Sequence, residues 1–442
     1  MLKFRLCVLL LVCSAATAFA ASPLVLISID GMRPDYITNP KACSTTFPTI
    51  QSFLTTGTYA EGVTGVLPTL TYPSHTTLIT GVEPAKHGIW GNTTFDPEST
   101  NFSGWYWYAK DIKADTLWDA ATRKKLITAN VGWPVSVDER NIRFNIPEYW
   151  RAGNAEDRKL LRALSTPELY DGVERHFLSV PESDGAYLAT DVARAKAAIY
   201  AIEHKHARFV TLHLITLDEM QHEHSPFSPQ ACQSLLELDK QVGAVLEAAI
   251  AANPATVVAV VSDHGFARTD YRVNLMVPLI EAGLLKLGTH AKEWKAAIFP
   301  GGGTAAIVLH DPKDKATEEA VRTLLHRLAS NRANGIASIL EKPEIDKLGG
   351  FPNAAFVVDL QVGYQLGYAA EGALVTPAPS TGMHGYLPSH PEMLAAFFVR
   401  GRGIAAGRDL GVIDMRQIAP TLGGILGVNL KDARQPQLNI RK

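Results

Sequence analysis

Two apolar, β-branched runs, Leu24–Ile29 and Val257–Val261, each stop abruptly at polar residues. Asp30-Gly31 follows the first and Ser262-Asp263-His264-Gly265 the second. A run without polar alternation fits a strand covered on both faces, and such strands belong to parallel sheets with helices packed on either side. Leu126–Val131, Phe209–Leu217 and Leu394–Val399 read the same way. Helical patterns lie among them: Thr46–Thr55 with Pro48 near its first turn, Ser74–Thr80 stopped by Gly81, Asp191–His206 and Pro229–Ala252. The alternation predicts an α/β fold, a central and mostly parallel sheet flanked by helices. Ligands in open α/β sheets bind beyond the carboxyl ends of the strands. Asp30, Asp218 and Asp263 are therefore expected at one edge, although they are far apart in the chain.

Two stretches break the alternation. Residues 133–185 are rich in Pro, Arg and Glu and read as a loop-rich insertion. Residues 271–376 have a small pattern of their own: Gly301-Gly302-Gly303, strand-like Thr304–Leu309, helical Ala316–Ala329, and strand-like Ile336–Leu340 and Ala354–Leu360. This segment reads as a smaller α+β cap inserted into a catalytic core of residues 21–270 and 377–442. The first twenty residues read as a signal peptide: Lys3 and Arg5, an apolar Leu6–Val12, and Ala18-Phe19-Ala20 as a cleavage box. The run is too short for a membrane span, so the expected location is periplasmic or secreted. Cys43 and Cys232 remain in the mature chain, and the sequence leaves open whether they pair. A net charge of -2 argues against a nucleic-acid-binding surface, which needs a basic face. Oligomeric state is not legible.

The chemistry is carried by Asp30, Thr71, Asp218, His222, Asp263, His264 and His384. Three carboxylates, three imidazoles and an alcohol are what a pair of zinc-like ions and a nucleophile require. Asp218 and His222 are four apart, so on a helix they share a face. Each residue alone has a plainer reading; Asp-Gly, for example, is a turn pair. His224 reads as a surface residue, His87 as structural, and His75 is ambiguous. Thr71 lies between Pro68 and Pro73, ahead of a helix start that offers N–H groups to an anion. By chemistry alone Thr69, Ser74, Thr76 and Thr77 rival it.

Taken in order, the motifs resemble the nucleotide pyrophosphatase/phosphodiesterase family of the alkaline phosphatase superfamily. Ser28-Ile29-Asp30-Gly31-Met32-Arg33 resembles the first metal motif. Thr71-Tyr72-Pro73-Ser74-His75, ending Leu78-Ile79-Thr80-Gly81, resembles the nucleophile loop. His87-Gly88-Ile89 with Asn92 and Asp96-Pro97, then Asp218 and His222, Asp263-His264-Gly265 and His384-Gly385-Tyr386 complete the set. The resemblance implies that Thr71 is the nucleophile and that Asn92 donates to a phosphate oxygen. It implies two Zn2+, one held by Asp218, His222 and His384, the other by Asp30, Asp263 and His264 with Thr71. The implied activity is hydrolysis of a small phosphate diester or nucleotide through a phosphothreonine intermediate.

The sequence departs from that pattern at two places. Gln221 replaces the glycine that commonly precedes the metal histidine, and His213 stands where nucleotide-hydrolysing members place a stacking aromatic. Tyr72 is a substitute stacking ring and Tyr187 a further pocket candidate, while Trp105-Tyr106-Trp107-Tyr108 reads as packing. The competing activities are a phosphomonoesterase or a phosphonate hydrolase, which would want extra cations such as Arg140 or Arg143. A sulfatase lacks its Cys/Ser-x-Pro-x-Arg context here. A non-catalytic, metal-stabilised binding protein would be expected to have lost a ligand or the nucleophile, and none is missing.

Overall fold

The structure is a computed structural model and describes residues 21–39, 41–98, 100, 104–149, 155–178, 187–287 and 293–442. The expected signal peptide, residues 1–20, lies outside them. Eight strands form the main sheet in the order Arg408–Asp409, Thr58–Tyr59, Phe397–Gly401, Val257–Val261, Leu24–Ile29, Phe209–Leu214, Thr128–Val131 and Phe144–Ile146. The neighbours from Val257–Val261 to Phe144–Ile146 are all parallel. Phe397–Gly401 runs antiparallel to both its neighbours, so the sheet is mixed at one side.

The apolar runs split by residue parity between two cores. Val25, Ile27, Ile29, Val258, Val260 and Phe398 face a core shared with the helices Pro48–Thr56, Tyr187–Lys205 and Pro229–Ala252. Leu24, Leu26, Val257, Ala259, Val261, Phe397 and Val399 face another, shared with Thr71–Thr80, Leu117–Arg123 and Ile418–Leu426. Burial on both sides explains why these strands show no polar alternation. Truncating Ile27, fully buried at the sheet centre, to alanine would cost about 2–5 kcal/mol.

A four-stranded antiparallel sheet, Ala296–Pro300, Thr304–Leu309, Ala354–Leu360 and Ile336–Glu341, forms a separate layer with the helix Lys315–Ala329. Ala267–Val273 pairs with Val375–Met383 and with Gly363–Leu366. The chain thus enters and leaves this region on paired strands.

Several local expectations need correction. Residues 133–185 are not mainly loop among the described residues: they hold the edge strand Phe144–Ile146 and the helices Ala155–Leu164 and Pro167–Phe177. Both helices have a strong polar and apolar face, which the charged composition obscured. The strand read as Phe209–Leu217 ends at Leu214, and the helix Thr216–His224 begins almost at once. Asp191 ends the strand there: its Oδ2 accepts from the Ile215 N–H, the Thr216 N–H and the Thr216 hydroxyl at 2.9, 2.8 and 2.6 Å. The helix read as Ser74–Thr80 starts at Thr71, three residues early. Pro73 does not break it, because a first-turn proline lacks only an N–H that has no intrahelical partner. Cys43 and Cys232 form a disulfide with a Cα–Cα separation of 5.9 Å, which resolves the question the sequence left open.

Candidate metal centre and nucleophile

The adjacency of parallel strands builds the site. Leu24–Ile29 lies between Phe209–Leu214 and Val257–Val261, so the residues after these three strands emerge side by side. Asp30 and Asp263 follow two of them, and Asp218 sits in the first turn of the helix after the third. Gly31, at φ 68°, turns the chain there, and its N–H donates to Asp263 Oδ1 at 3.1 Å. A side chain at Gly31 would meet Gln221 Nε2 at 2.8 Å. Gln221, the residue that departs from the family pattern, donates to the Gly31 carbonyl at 3.0 Å and accepts from the Tyr36 hydroxyl at 3.0 Å.

The three imidazoles are set alike. The Nδ1 of His222 faces the Gly382 carbonyl at 3.2 Å, that of His264 the Gly265 carbonyl at 3.1 Å, and that of His384 the Thr69 carbonyl at 3.1 Å. A carbonyl only accepts, so Nδ1 carries the hydrogen and the Nε2 lone pair is free. Each Nε2 points at a carboxylate: His222 at Asp218 (3.4 Å), His384 at Asp218 (3.9 Å), and His264 at Asp263 (3.1 Å) and Asp30 (3.4 Å). The His264 and His384 rings stack at 3.7 Å.

Electrostatics explain what such a cluster wants. Burial pushes all three imidazoles below their ordinary range, His384 to about 3, so they stay neutral and able to ligate. Burial raises the three aspartates, Asp263 to about 6, and mutual repulsion raises Asp30 and Asp218 further. Asp30 Oδ1, Asp218 Oδ1 and Asp263 Oδ2 are buried without a hydrogen-bond partner. Buried, unpaired anionic oxygens are costly unless a cation joins them. Neutral imidazoles and converging carboxylates therefore fit divalent metal ions. Two groups can each hold one: Asp218, His222 and His384, and Asp30, Asp218 and His264, with ligand atoms in each within 4.8 Å of one another. Asp218 belongs to both groups, whereas the resemblance gave it to one ion only; Asp263, which the resemblance gave to the second ion, is in neither group, although its Oδ2 lies 3.1 Å from His264 Nε2.

Thr71 is the first residue of its helix, and its Oγ1 lies 3.5 Å from His264 Nε2. The rival hydroxyls are engaged or sealed off. Thr69, Thr76 and Thr77 donate to the carbonyls of Tyr386, Tyr72 and Val82, and Ser74 is fully buried. Asn92 Oδ1 accepts the Tyr72 N–H at 3.0 Å, which leaves its NH2 group as the available donor beside Thr71.

The substrate-facing expectations fare unevenly. Asn92 lines a cleft of about 710 Å³ that also includes His384 and Leu70. Tyr72 does not: it is turned inward, about 100° around the helix from Thr71, and packs edge-on against Trp105 at 5.2 Å. His213 is a second correction. Its ring is buried behind the aspartates, with Nε2 3.0 Å from Asp30 Oδ2, and offers no face to a ligand. Tyr187 is half-buried and near Glu219, beside Asp218 rather than in the cleft. Trp105 lines the cleft, although the cluster that contains it read as packing, and Arg272, Gln365 and Tyr368 form the opposite wall. Arg143 precedes the strand Phe144–Ile146 at its amino end, away from the metal edge, and pairs with Glu168. His224 is exposed, and His87 is buried against Thr77, as expected of both. His75 had no assigned role; it faces the Thr71 carbonyl and the Ser28 hydroxyl at 2.8 Å each and lies 3.5 Å from Asp263.

Residues 24–387 match the family model described as type I phosphodiesterase/nucleotide pyrophosphatase. The chain is 25% identical over 257 residues to ectonucleotide pyrophosphatase/phosphodiesterase family member 1 of Mus musculus, a match covering 56% of this chain and 24% of that protein. It is 25% identical over 237 residues to the venom phosphodiesterase of Naja atra, covering 52% and 24%. The matches thus span about a quarter of these relatives' length. Murine ectonucleotide pyrophosphatase/phosphodiesterase 5 shares the fold, with a TM-score of 0.66 at 18% identity over 95% of this chain and 98% of that one.

Proposed function

This chain belongs to the type I phosphodiesterase/nucleotide pyrophosphatase family of hydrolases, and we propose that it is a secreted two-zinc phosphodiesterase that works through a phosphothreonine intermediate. The observation that carries the reading is the convergence of three carboxylate oxygens without a hydrogen-bond partner and three Nε2 lone pairs, one of them facing the Thr71 hydroxyl. Two divalent ions held there would lower the pKa of a bound alcohol or water and neutralise phosphoryl charge. The Thr71 hydroxyl gives its proton to solvent, and its Oγ1 bonds phosphorus as the ester oxygen of the leaving group departs and takes up a proton from solvent. A water then attacks the same phosphorus, breaks the Thr71–phosphorus bond and restores the hydroxyl. Asn92 donates its amide N–H to a non-bridging oxygen. A related murine protein has been solved as an inactive threonine-to-alanine variant in complex with AMP, which supports a threonine nucleophile and a nucleotide-sized ligand.

The cleft argues for a diester. Among the described residues Arg272 is the sole cation lining it, and a doubly charged monoester would want more. The cap role of residues 271–376 belongs to the same proposal, since Arg272, Gln365 and Tyr368 come from that segment. The disulfide fits an oxidising compartment, and no helix among the described residues is long and apolar enough to cross a membrane. A matched pair of aryl phosphate substrates tests the reading. The diester is expected to show the higher kcat/KM; a monoester or phosphonate preference would reverse the substrate assignment.

A further inference from the structure

His213 occupies the position where the family pattern led us to expect a ring that stacks on substrate, and the structure places it elsewhere. It lies on the strand Phe209–Leu214, 1% exposed. Its Nε2 lies 3.0 Å from Asp30 Oδ2, and its Nδ1 lies 3.1 Å from the Gly132 carbonyl and 3.7 Å from Glu148 Oε2. Glu148 Oε2 in turn accepts from Arg194 Nη2 at 2.8 Å, and Arg194 Nη1 donates to the carbonyl of His213 itself at 3.0 Å. The ring, the carboxylate and the guanidinium thus close a buried loop of contacts behind the metal basin. Gly132, at φ 73°, admits it: a side chain there would meet the Arg194 guanidinium at 2.9 Å. The His75 ring packs on the other side of His213 at 4.4 Å.

We propose that His213 is a positioning residue that decides which oxygen of Asp30 faces the ions, with Glu148 and Arg194 holding the ring in place; this rests on the two-ion reading of the site. A carboxylate has two equivalent oxygens and can rotate to share them. Here Oδ2 is held 3.0 Å from His213 Nε2, while Oδ1 has no hydrogen-bond partner and lies 3.4 Å from His264 Nε2. Removing the ring frees Asp30 to turn, and the second ion would lose a fixed ligand. Groups that orient metal ligands from behind contribute roughly 10–100-fold in metal affinity. In this chain the position therefore serves the metal site.

The test is zinc titration of the full chain against a competing chelator, with thermal unfolding and steady-state hydrolysis of an aryl phosphodiester on the same samples. His213→Leu should weaken the second zinc by roughly 10–100-fold. His213→Gln, whose amide can still donate to Asp30, should recover most of that loss. Glu148→Gln leaves the ring but loosens its support, so an intermediate loss is expected; this variant carries the test if His213→Leu does not fold. His224→Gln, an exposed neighbour, should bind zinc as the wild type does. At saturating zinc the KM for the diester should be unchanged, because His213 does not reach the cleft. Wild-type zinc affinity in His213→Leu, or a glutamine variant no better than leucine, would overturn the proposal. A wild-type protein that binds no zinc would instead refute the site reading beneath it.

Discussion

The metal basin and the cap wall of the cleft meet near His384 but are built on different terms. In the basin each imidazole is fixed by a backbone carbonyl, the three aspartates are buried, and the supporting groups are themselves hydrogen-bonded. Across the cleft, Tyr368 is 69% exposed and Arg272 has no ion pair among the described residues. The basin is preorganised because it rests on adjacent central strands, so its ligands are fixed before anything binds. The wall belongs to a small three-stranded sheet and the loop after it, outside the main sheet, and surface segments of this kind can change without disturbing the core. Chemistry is thus expected to be intolerant of substitution in the basin, and substrate preference to be tunable on the wall.

The largest effect should come from Thr71→Ala. Loss of a nucleophile costs at least about a thousandfold in kcat, yet metal content should stay near that of the wild type, because the buried carboxylates and imidazoles remain. Activity surviving in this variant but lost in Thr69→Ala would place the nucleophile two residues upstream. Next in size, Asp218→Ala should empty both metal positions while His222→Ala empties one, since Asp218 lies in both ligand groups. Equal losses, read by elemental analysis, would restore the division that the resemblance implies, with Asp218 on one ion only. On the wall, Trp105→Ala should raise KM for aryl and nucleotide diesters by roughly tenfold, in line with a stacking contribution of about 1–3 kcal/mol, and leave kcat almost unchanged. A kcat loss without a KM change would put Trp105 in the chemistry instead.

The contrast also explains what the sequence could tell. Asp30, Asp263 and His264 were legible because each follows an unbroken apolar strand, and parallel topology brings such strand ends together. The strand-to-helix switch after Leu214 was not, because it depends on Asp191, which caps the new helix from 24 residues upstream. Tyr72 and His213 were misplaced for a related reason: both are polar aromatic rings next to catalytic motifs, and only the helix phase or the strand face says whether they point toward substrate or away. Trp105 was visible in its aromatic cluster, but nothing local indicates that one ring of the cluster reaches the cleft. The Cys43–Cys232 bridge spans 189 residues, a separation at which pairing cannot be read from spacing.

Two smaller effects test the frame that supports both regions. Cys232→Ser should lower the melting temperature, since a native disulfide contributes about 2–4 kcal/mol, without changing zinc stoichiometry. A loss of zinc would mean that the bridge shapes the basin directly. His390 ties the segment after His384 to the four-stranded sheet: its Nε2 lies 2.8 Å from Asp359 Oδ2, and Asp359 Oδ1 accepts the Leu387 N–H at 3.1 Å. The Asp359 hydrogen bond raises the His390 pKa above its ordinary value. The protonated form is therefore the one the fold favours. Its contribution is fully present below about pH 6.5, the ordinary histidine value, and is lost as pH rises through the raised folded value. His390→Leu should lower stability in acid and converge on the wild type in alkali; a deficit that grows with pH would contradict the assignment.

The most direct measurement is turnover of an aryl phosphodiester as metal-free protein is titrated with zinc. The expected curve rises with occupancy and levels near two equivalents, with chelation abolishing turnover and zinc restoring it. Full turnover by the metal-free protein would contradict the account at its centre.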